Sequence, residues 1–200
     1  MQGNKNQGHR RSIRLENYDY SQAGAYFVTI CERKRRCIFG RIINGAVRLS
    51  QIGKIVQEVW LRSEKVYKNV SLDEFVIMPN HIHGIIVINE DVGARPRLAR
   101  NNKRASHGLA PTIKAIAPPR GALGRVIGQF KSSVTRQINK TRKSNPIYIW
   151  QRNYYDRVIR NEDELNYIRQ YIIDNPVNWD FDRENPRAKK KKKPQEPWEM

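Results

Sequence analysis

Apolar residues in this chain come in short blocks with two different periods, and the change from one period to the other lays out the elements. Ala25 to Glu32 (AYFVTICE) is a block of strand length, and after a basic turn at Arg33 to Arg36 a second extended piece runs from Cys37 to Ile43. Asn44-Gly45 is the dipeptide that tight hairpins favour, so Val47 to Leu49 is expected to return beside that piece. From Gln51 to about Lys65 the period becomes helical: Ile52, Ile55, Val56, Val59 and Trp60 share one face, and Ser50 stands where an N-cap is needed. Phe75 to Met78 and His81 to Ile88 read as adjacent antiparallel strands joined by Pro79-Asn80. A second helix, from about Ala122 to Asn139, buries Leu123, Val126, Ile127, Phe130, Val134 and Ile138 and turns Arg125, Lys131, Arg136 and Lys140 to solvent. Trp150 to Arg160 reads as extended. Asn161 then caps a third helix, whose acidic first turn (Glu162, Asp163, Glu164) complements the helix dipole and whose end is set by Asn175-Pro176.

This order predicts an α+β chain: a ferredoxin-like antiparallel sheet with helices packed on one face. The segments that follow neither period divide the remainder. Residues 1–17 form a basic N-terminal arm, 18–182 a single domain, and 183–200 a tail with five successive lysines that reads as disordered. Within the domain, 91–120 has no sustained period and reads as a mobile basic loop.

Charge changes the picture more than hydrophobic content does. The chain has 200 residues and is 38% hydrophobic, enough for one modest core, but carries 38 Lys plus Arg against 19 Asp plus Glu, a net +19. A polyanion is the partner such a balance fits. A solvated basic surface or a ribosome-associated protein would share the total. The distribution is less general, because residues 91–145 hold thirteen basic side chains and one acidic. Cys31 and Cys37 match neither a zinc knuckle nor a Cys-x-x-Cys pair, and no apolar run approaches the ~20 residues that span a bilayer. A soluble protein of the reducing cytoplasm, associated with the nucleoid, is the expectation.

Two groups of residues carry candidate chemistry. In a strand, residues two apart face the same way, so His81 and His83 can present both imidazoles to one divalent ion. Their alternative role is structural, each ring satisfied by a hydrogen bond. On the third helix Tyr171 and Asn175 lie four apart and share a face. A tyrosine there can serve as a covalent nucleophile, or can simply join Leu165, Ile168 and Ile172 in the buried stripe. Tyr167, one turn earlier, is its rival, and Tyr154 and Tyr155 adjoin on the extended segment.

The run MPNHIHGIIVI, followed by QFKSSVTRQIN, WQRNYYDRVIRNEDEL and YIIDNPVNW, resembles the single-tyrosine HUH transposases, and in particular the REP-associated tyrosine transposases. The resemblance runs from Tyr18 to Trp179 without the 91–120 loop. It implies the HUH endonuclease fold, a divalent metal (Mg2+ or Mn2+) held by His81 and His83 with Asn175 as a further ligand, and Tyr171 as the nucleophile. Gln170 and Asp174 are neighbouring alternatives for that further ligand. It also implies a single-strand DNA endonuclease and strand transferase that acts on palindromic hairpins through a 5′-phosphotyrosine link. Both homodimers and monomers are compatible with it. DNA contacts are expected from Arg125, Lys131 and Arg136 on the central helix and from Arg95, Arg97, Arg100, Lys103 and Arg104 in the loop. Two other functions fit the same residues: a domesticated DNA- or RNA-binding protein that no longer cleaves, and a metal-dependent RNA nuclease that uses water.

Overall fold

The computed structural model describes residues 18–20, 22–90, 123–142 and 146–189. In chain order these form β1 (Gly24–Cys31), β2 (Gly40–Ile43), β3 (Ala46–Leu49), α1 (Gln51–Leu61), a single turn α2 (Ser63–Val66), β4 (Val70–Ile77), β5 (His81–Ile88), α3 (Leu123–Thr141), β6 (Tyr155–Ile159) and α4 (Glu162–Asp174). A 3-10 turn follows at Trp179–Phe181. The arm 1–17, the segment 91–120 with Arg95, Arg97, Arg100, Lys103 and Arg104, and residues 190–200 lie outside the described residues. No helix among the described residues is long and apolar enough to cross a membrane.

Local chemistry sets most boundaries where the sequence placed them. Asn44 and Gly45 take positive φ, 49° and 72°, the left-handed pair that closes the β2–β3 hairpin with the right twist. The Ser50 hydroxyl accepts from the amide of Gly53 at 3.1 Å and donates to the Ile38 carbonyl at 2.7 Å, so it both starts α1 and ties it to the preceding loop. Asn161 Oδ1 accepts from the amide of Glu164 at 2.8 Å and starts α4 in the same way. Two strands differ most from expectation. β4 begins at Val70 rather than near Phe75, because its register shifts between Leu72 and Phe75, where Asp73 and Glu74 interrupt the apolar run. Of the extended stretch from Trp150 to Arg160, only Tyr155–Ile159 pairs as a strand, while Trp150 forms an isolated bridge to Glu32.

β4, β5, β1 and β6 form one antiparallel sheet in that order, the ferredoxin-like arrangement, with the β2–β3 hairpin set apart from it. Alternation along β1 and β5 gives the sheet two different faces. Tyr26, Val28, Ile30, Ile82, Ile86 and Ile88 point to the main core, where α1 and α3 pack through Val56, Val59, Trp60, Val126, Phe130 and Val134. Phe27 and Ile85 point the other way and meet Ile168 and Ile172 of α4. The expectation of helices on one face therefore describes α1 and α3, and α4 takes the opposite face. The bidentate pair between Arg169 and Asp73, at 2.6 and 2.8 Å, fastens α4 to β4.

Gly84, next to the second histidine, is required by packing. A Cβ there would lie 2.6 Å from Cζ2 of Trp60 and 3.1 Å from Cβ of Phe75. The indole cannot yield easily, because it is buried and packs edge-on against Phe130 with ring centres 5.2 Å apart. Gly84→Ala is expected to cost about 1–3 kcal/mol of stability through overpacking. Thermal unfolding would show this as a fall in Tm of several degrees, and an unchanged Tm would mean that Trp60 moves aside.

Candidate functional site

β5 presents His81 and His83 on the face of the sheet that α4 covers, opposite Cys31 and Thr29 of β1. Both rings are buried, and their Nε2 atoms approach to 2.9 Å. The outer nitrogens are held from behind. Asn80 donates through Nδ2 to the carbonyls of Arg35 and Glu184, at 3.0 and 2.7 Å, which turns its Oδ1 toward Nδ1 of His81 at 2.9 Å. Nδ1 of His81 must therefore carry the proton, and its Nε2 lone pair faces His83. Thr29 Oγ1, 2.9 Å from Nδ1 of His83, suits either tautomer of that ring. It donates when His83 gives its Nε2 proton to His81, and accepts when the Nε2 lone pair is needed elsewhere. That exchange moves the ring proton of His83 from Nε2 to Nδ1 and rotates the Thr29 hydroxyl, with no net change in charge.

Burial is the largest influence on both rings and holds them neutral. It lowers His81 well below the ordinary imidazole range, helped by the neighbouring His83 and Arg35. It lowers His83 to about 3, helped by Arg183. Neutral imidazole is the form that binds a metal.

Asp182, just beyond the 3-10 turn, completes a group that the sequence reading did not contain. Its Oδ2 lies 3.7 Å from Nε2 of His81, and one ligand atom from each of His81, His83 and Asp182 falls within 4.8 Å of the others. Two imidazole nitrogens and one carboxylate oxygen, all turned to one spot, suit a divalent first-row ion. Asn175 occupies the C-cap of α4 and is buried, with no hydrogen-bond partner on its Oδ1. An orphaned buried amide oxygen is costly unless a hydrogen-bond donor or a cation meets its lone pairs, so Asn175 Oδ1 is an oxygen that could serve as a metal ligand. Gln170 and Asp174, its alternatives, are exposed.

α4 brings Tyr171 to the same place. Its ring lies 5.4 Å from that of His83 and 6.0 Å from that of Phe27, centre to centre, and it joins the apolar seam of Phe27, Ile85, Ile168 and Ile172 at its margin. Both roles considered for this tyrosine are thus compatible, since the seam aims the ring at the histidines. A cleft of about 50 Å3 opens between Thr29, His83, Tyr155, Tyr171, Asp182 and Arg183. Tyr167 is exposed one turn away. Tyr155 is therefore the closer competitor, because β6 aims it into the cleft while Tyr154 packs on the main core.

The helical cations are placed differently from one another. Arg125 and Arg136 are exposed on α3. Lys131, expected to face solvent, is half-buried, and its ammonium donates to the carbonyls of Gln151 and Asn153 at 3.0 and 2.8 Å. Burial lowers it to about 8.

The buried histidines impose a pH dependence. In the unfolded chain each takes up a proton near 6.5, whereas in the folded chain each resists until far lower pH. The unfolded state thus binds more protons below about 6.5, and stability falls as pH drops, by at most about 1.4 kcal/mol per pH unit for each ring. Asp73 and Glu164, whose folded carboxyls are held low mainly by hydrogen bonds from Arg169 and from Arg160 and Arg157, add to the slope only in more acidic solution. Denaturant midpoints measured between pH 7.5 and 5 are expected to decline, and the double variant His81→Gln/His83→Gln should flatten that decline. A profile that is already flat in the parent chain would contradict the burial of the pair.

No protein-family model matches the chain. An uncharacterized protein of Haemophilus influenzae is 40% identical over 179 residues, which is 88% of this chain and 92% of that protein. Among solved structures, a REP-associated tyrosine transposase bound to a REP hairpin superposes with a TM-score of 0.53 at 17% identity, over 83% of this chain and 73% of that one. The chain belongs to one family with the Haemophilus influenzae protein, and it is built on the fold of a REP-associated tyrosine transposase.

Proposed function

We propose that this protein is a transposase-type enzyme, a metal-dependent endonuclease and strand transferase acting on single-stranded, hairpin-forming DNA, with Tyr171 as nucleophile. The observation that carries the reading is the placement of the Tyr171 ring against His83 in a cleft where His81, His83 and Asp182 converge. The net charge of +19 fits a polyanionic substrate.

The phenol oxygen of Tyr171 attacks a phosphorus of the DNA. The bond to the 3′-oxygen breaks, that oxygen leaves with a proton as a 3′-hydroxyl, and the 5′ side stays on the enzyme as a phosphotyrosine. Attack by a 3′-hydroxyl on the same link rejoins strands without ATP. His81, His83 and Asp182 would hold the divalent ion, with Asn175 as a further donor, and the bound ion would neutralise charge on the phosphate and favour the phenolate. Imidazole ligands favour Mn2+ over Mg2+. Asn80 and Thr29 fix the histidine rings, Phe27 backs His83, and Arg183 adds a positive charge on the cleft wall.

Incubation of a 3′-labelled hairpin oligonucleotide with the protein and Mn2+, followed by a denaturing gel, tests the reaction. A covalent adduct is expected, reduced at least a hundredfold in Tyr171→Phe and retained in Tyr155→Phe and Tyr167→Phe. Free cleaved product without an adduct would point to a water nuclease, and binding without cleavage to a non-catalytic binder. An adduct that persists in Tyr171→Phe but disappears in Tyr155→Phe would move the nucleophile to β6.

Calorimetric titration with Mn2+ tests the ligand set separately. Asp182→Asn and His83→Gln should each weaken binding at least tenfold, and Asn80→Ala by about 10–100-fold through loss of ring orientation. Tyr171→Phe should bind as the parent chain does. Unchanged affinity in Asp182→Asn together with a large loss in Asn175→Ala would give the third position to Asn175.

A further inference from the structure

On the α3 side of the sheet lies a groove of about 410 Å3, lined by Lys131, Ser132, Thr135, Arg136, Tyr148 and Trp150. Tyr148 is 75% exposed, an unusual position for a large ring. The guanidinium of Arg33 sits 5.7 Å from the centre of that ring, and Arg136 is exposed on the groove wall. These side chains are held on a firm floor. The amide of Arg33 donates to the carbonyl of Ile149 at 2.7 Å, and Trp150 Nε1 donates to the carbonyl of Lys131 at 3.1 Å. Glu32 closes the turn that carries Arg33, its buried carboxylate accepting from the amides of Lys34 and Arg36 and from the Arg36 side chain. Lys131 spends its donors on the carbonyls of Gln151 and Asn153, so it keeps positive charge in the floor while Arg33 and Arg136 remain at the rim.

An exposed ring with one arginine against it and a second in the same groove suits single-stranded nucleic acid, where a base stacks on the ring and phosphates meet the cations. Tyr148 in the groove and Tyr155 in the cleft are seven positions apart in the chain, so their backbones lie within about 25 Å of each other. A few unpaired nucleotides cover such a distance.

We propose that this groove is a second DNA subsite, in which an unpaired base of the strand flanking the hairpin stacks on Tyr148 while Arg33 and Arg136 hold the adjacent phosphates. The subsite rests on the reading of single-stranded DNA as substrate. It adds an anchor away from the scissile phosphate, on the opposite face of the sheet from the histidines.

Fluorescence anisotropy without divalent metal, so that no strand is cut, tests it with two labelled probes: a hairpin oligonucleotide carrying an unpaired flank, and the same hairpin with a blunt end. Tyr148→Ala should weaken binding of the flanked hairpin by about 5–100-fold, the effect of losing one stacked base, and leave the blunt hairpin within twofold. Tyr148→Phe should restore the parent affinity, and Arg136→Ala should reduce the salt slope by about one. Unchanged affinity of Tyr148→Ala for the flanked probe overturns the proposal, as does an equal loss on the blunt probe. The two readings fail separately. A parent chain that binds the flanked probe through Tyr148 but forms no adduct with Mn2+ overturns cleavage alone, and a chain that forms the adduct while Tyr148→Ala binds normally overturns the groove alone.

Discussion

The site depends on the register of β5 against β1. Thr29 stands opposite His83 and Cys31 opposite His81, so both histidines fall on the face that α4 covers, and Ile82 and Ile86 fall on the face that α1 and α3 cover. A slip of one residue would exchange those sets, putting imidazoles into the main core and isoleucines into the cleft. Packing forbids the slip, because both faces are buried and each selects its own side chains. Gly84 adds a second restriction, since the close approach of Trp60 leaves no room for a Cβ at that position.

Once the register is set, the polar groups around the histidines follow from the need to satisfy buried atoms. Asn80 is the joint of this arrangement. It binds the carbonyl of Arg35 in the β1–β2 connection, the carbonyl of Glu184 in the C-terminal segment, and the ring of His81. One side chain thereby fixes the tautomer of a histidine and seats the segment that supplies Asp182. That segment is bound again through Glu184, whose buried carboxylate meets Arg35 at 3.2 Å and the thiol of Cys31 at 3.5 Å. The same burial that lowers the affinity of the histidines for protons leaves their lone pairs available to a cation.

Much of this was legible beforehand because it is governed by local rules. The Asn44-Gly45 hairpin, the Ser50 and Asn161 caps and the six-residue apolar stripe of α3 each depend on neighbours within a few positions. The start of β4 was not, since Asp73 and Glu74 break the apolar period while a bulge keeps the strand paired. Lys131 carried no sign that two carbonyls, 20 and 22 residues away, would take its ammonium. Asp182 was equally hidden, because it sits in a polar stretch without period and meets His81 across about a hundred residues.

The sequence by itself determined which residues alternate: two histidines on one face of a strand, and a tyrosine and an asparagine on one face of a helix. Periodicity fixes direction relative to neighbours on the same element, and nothing more. Only the tertiary structure decided which face each element turns to the sheet. It set α4 against the histidine side, brought Tyr155 and Asp182 into the cleft beside Tyr171, and left Tyr148 exposed in the α3 groove with Arg33 over its ring. Those placements come from long-range burial, in which each buried polar or apolar group must find a partner from a distant part of the chain.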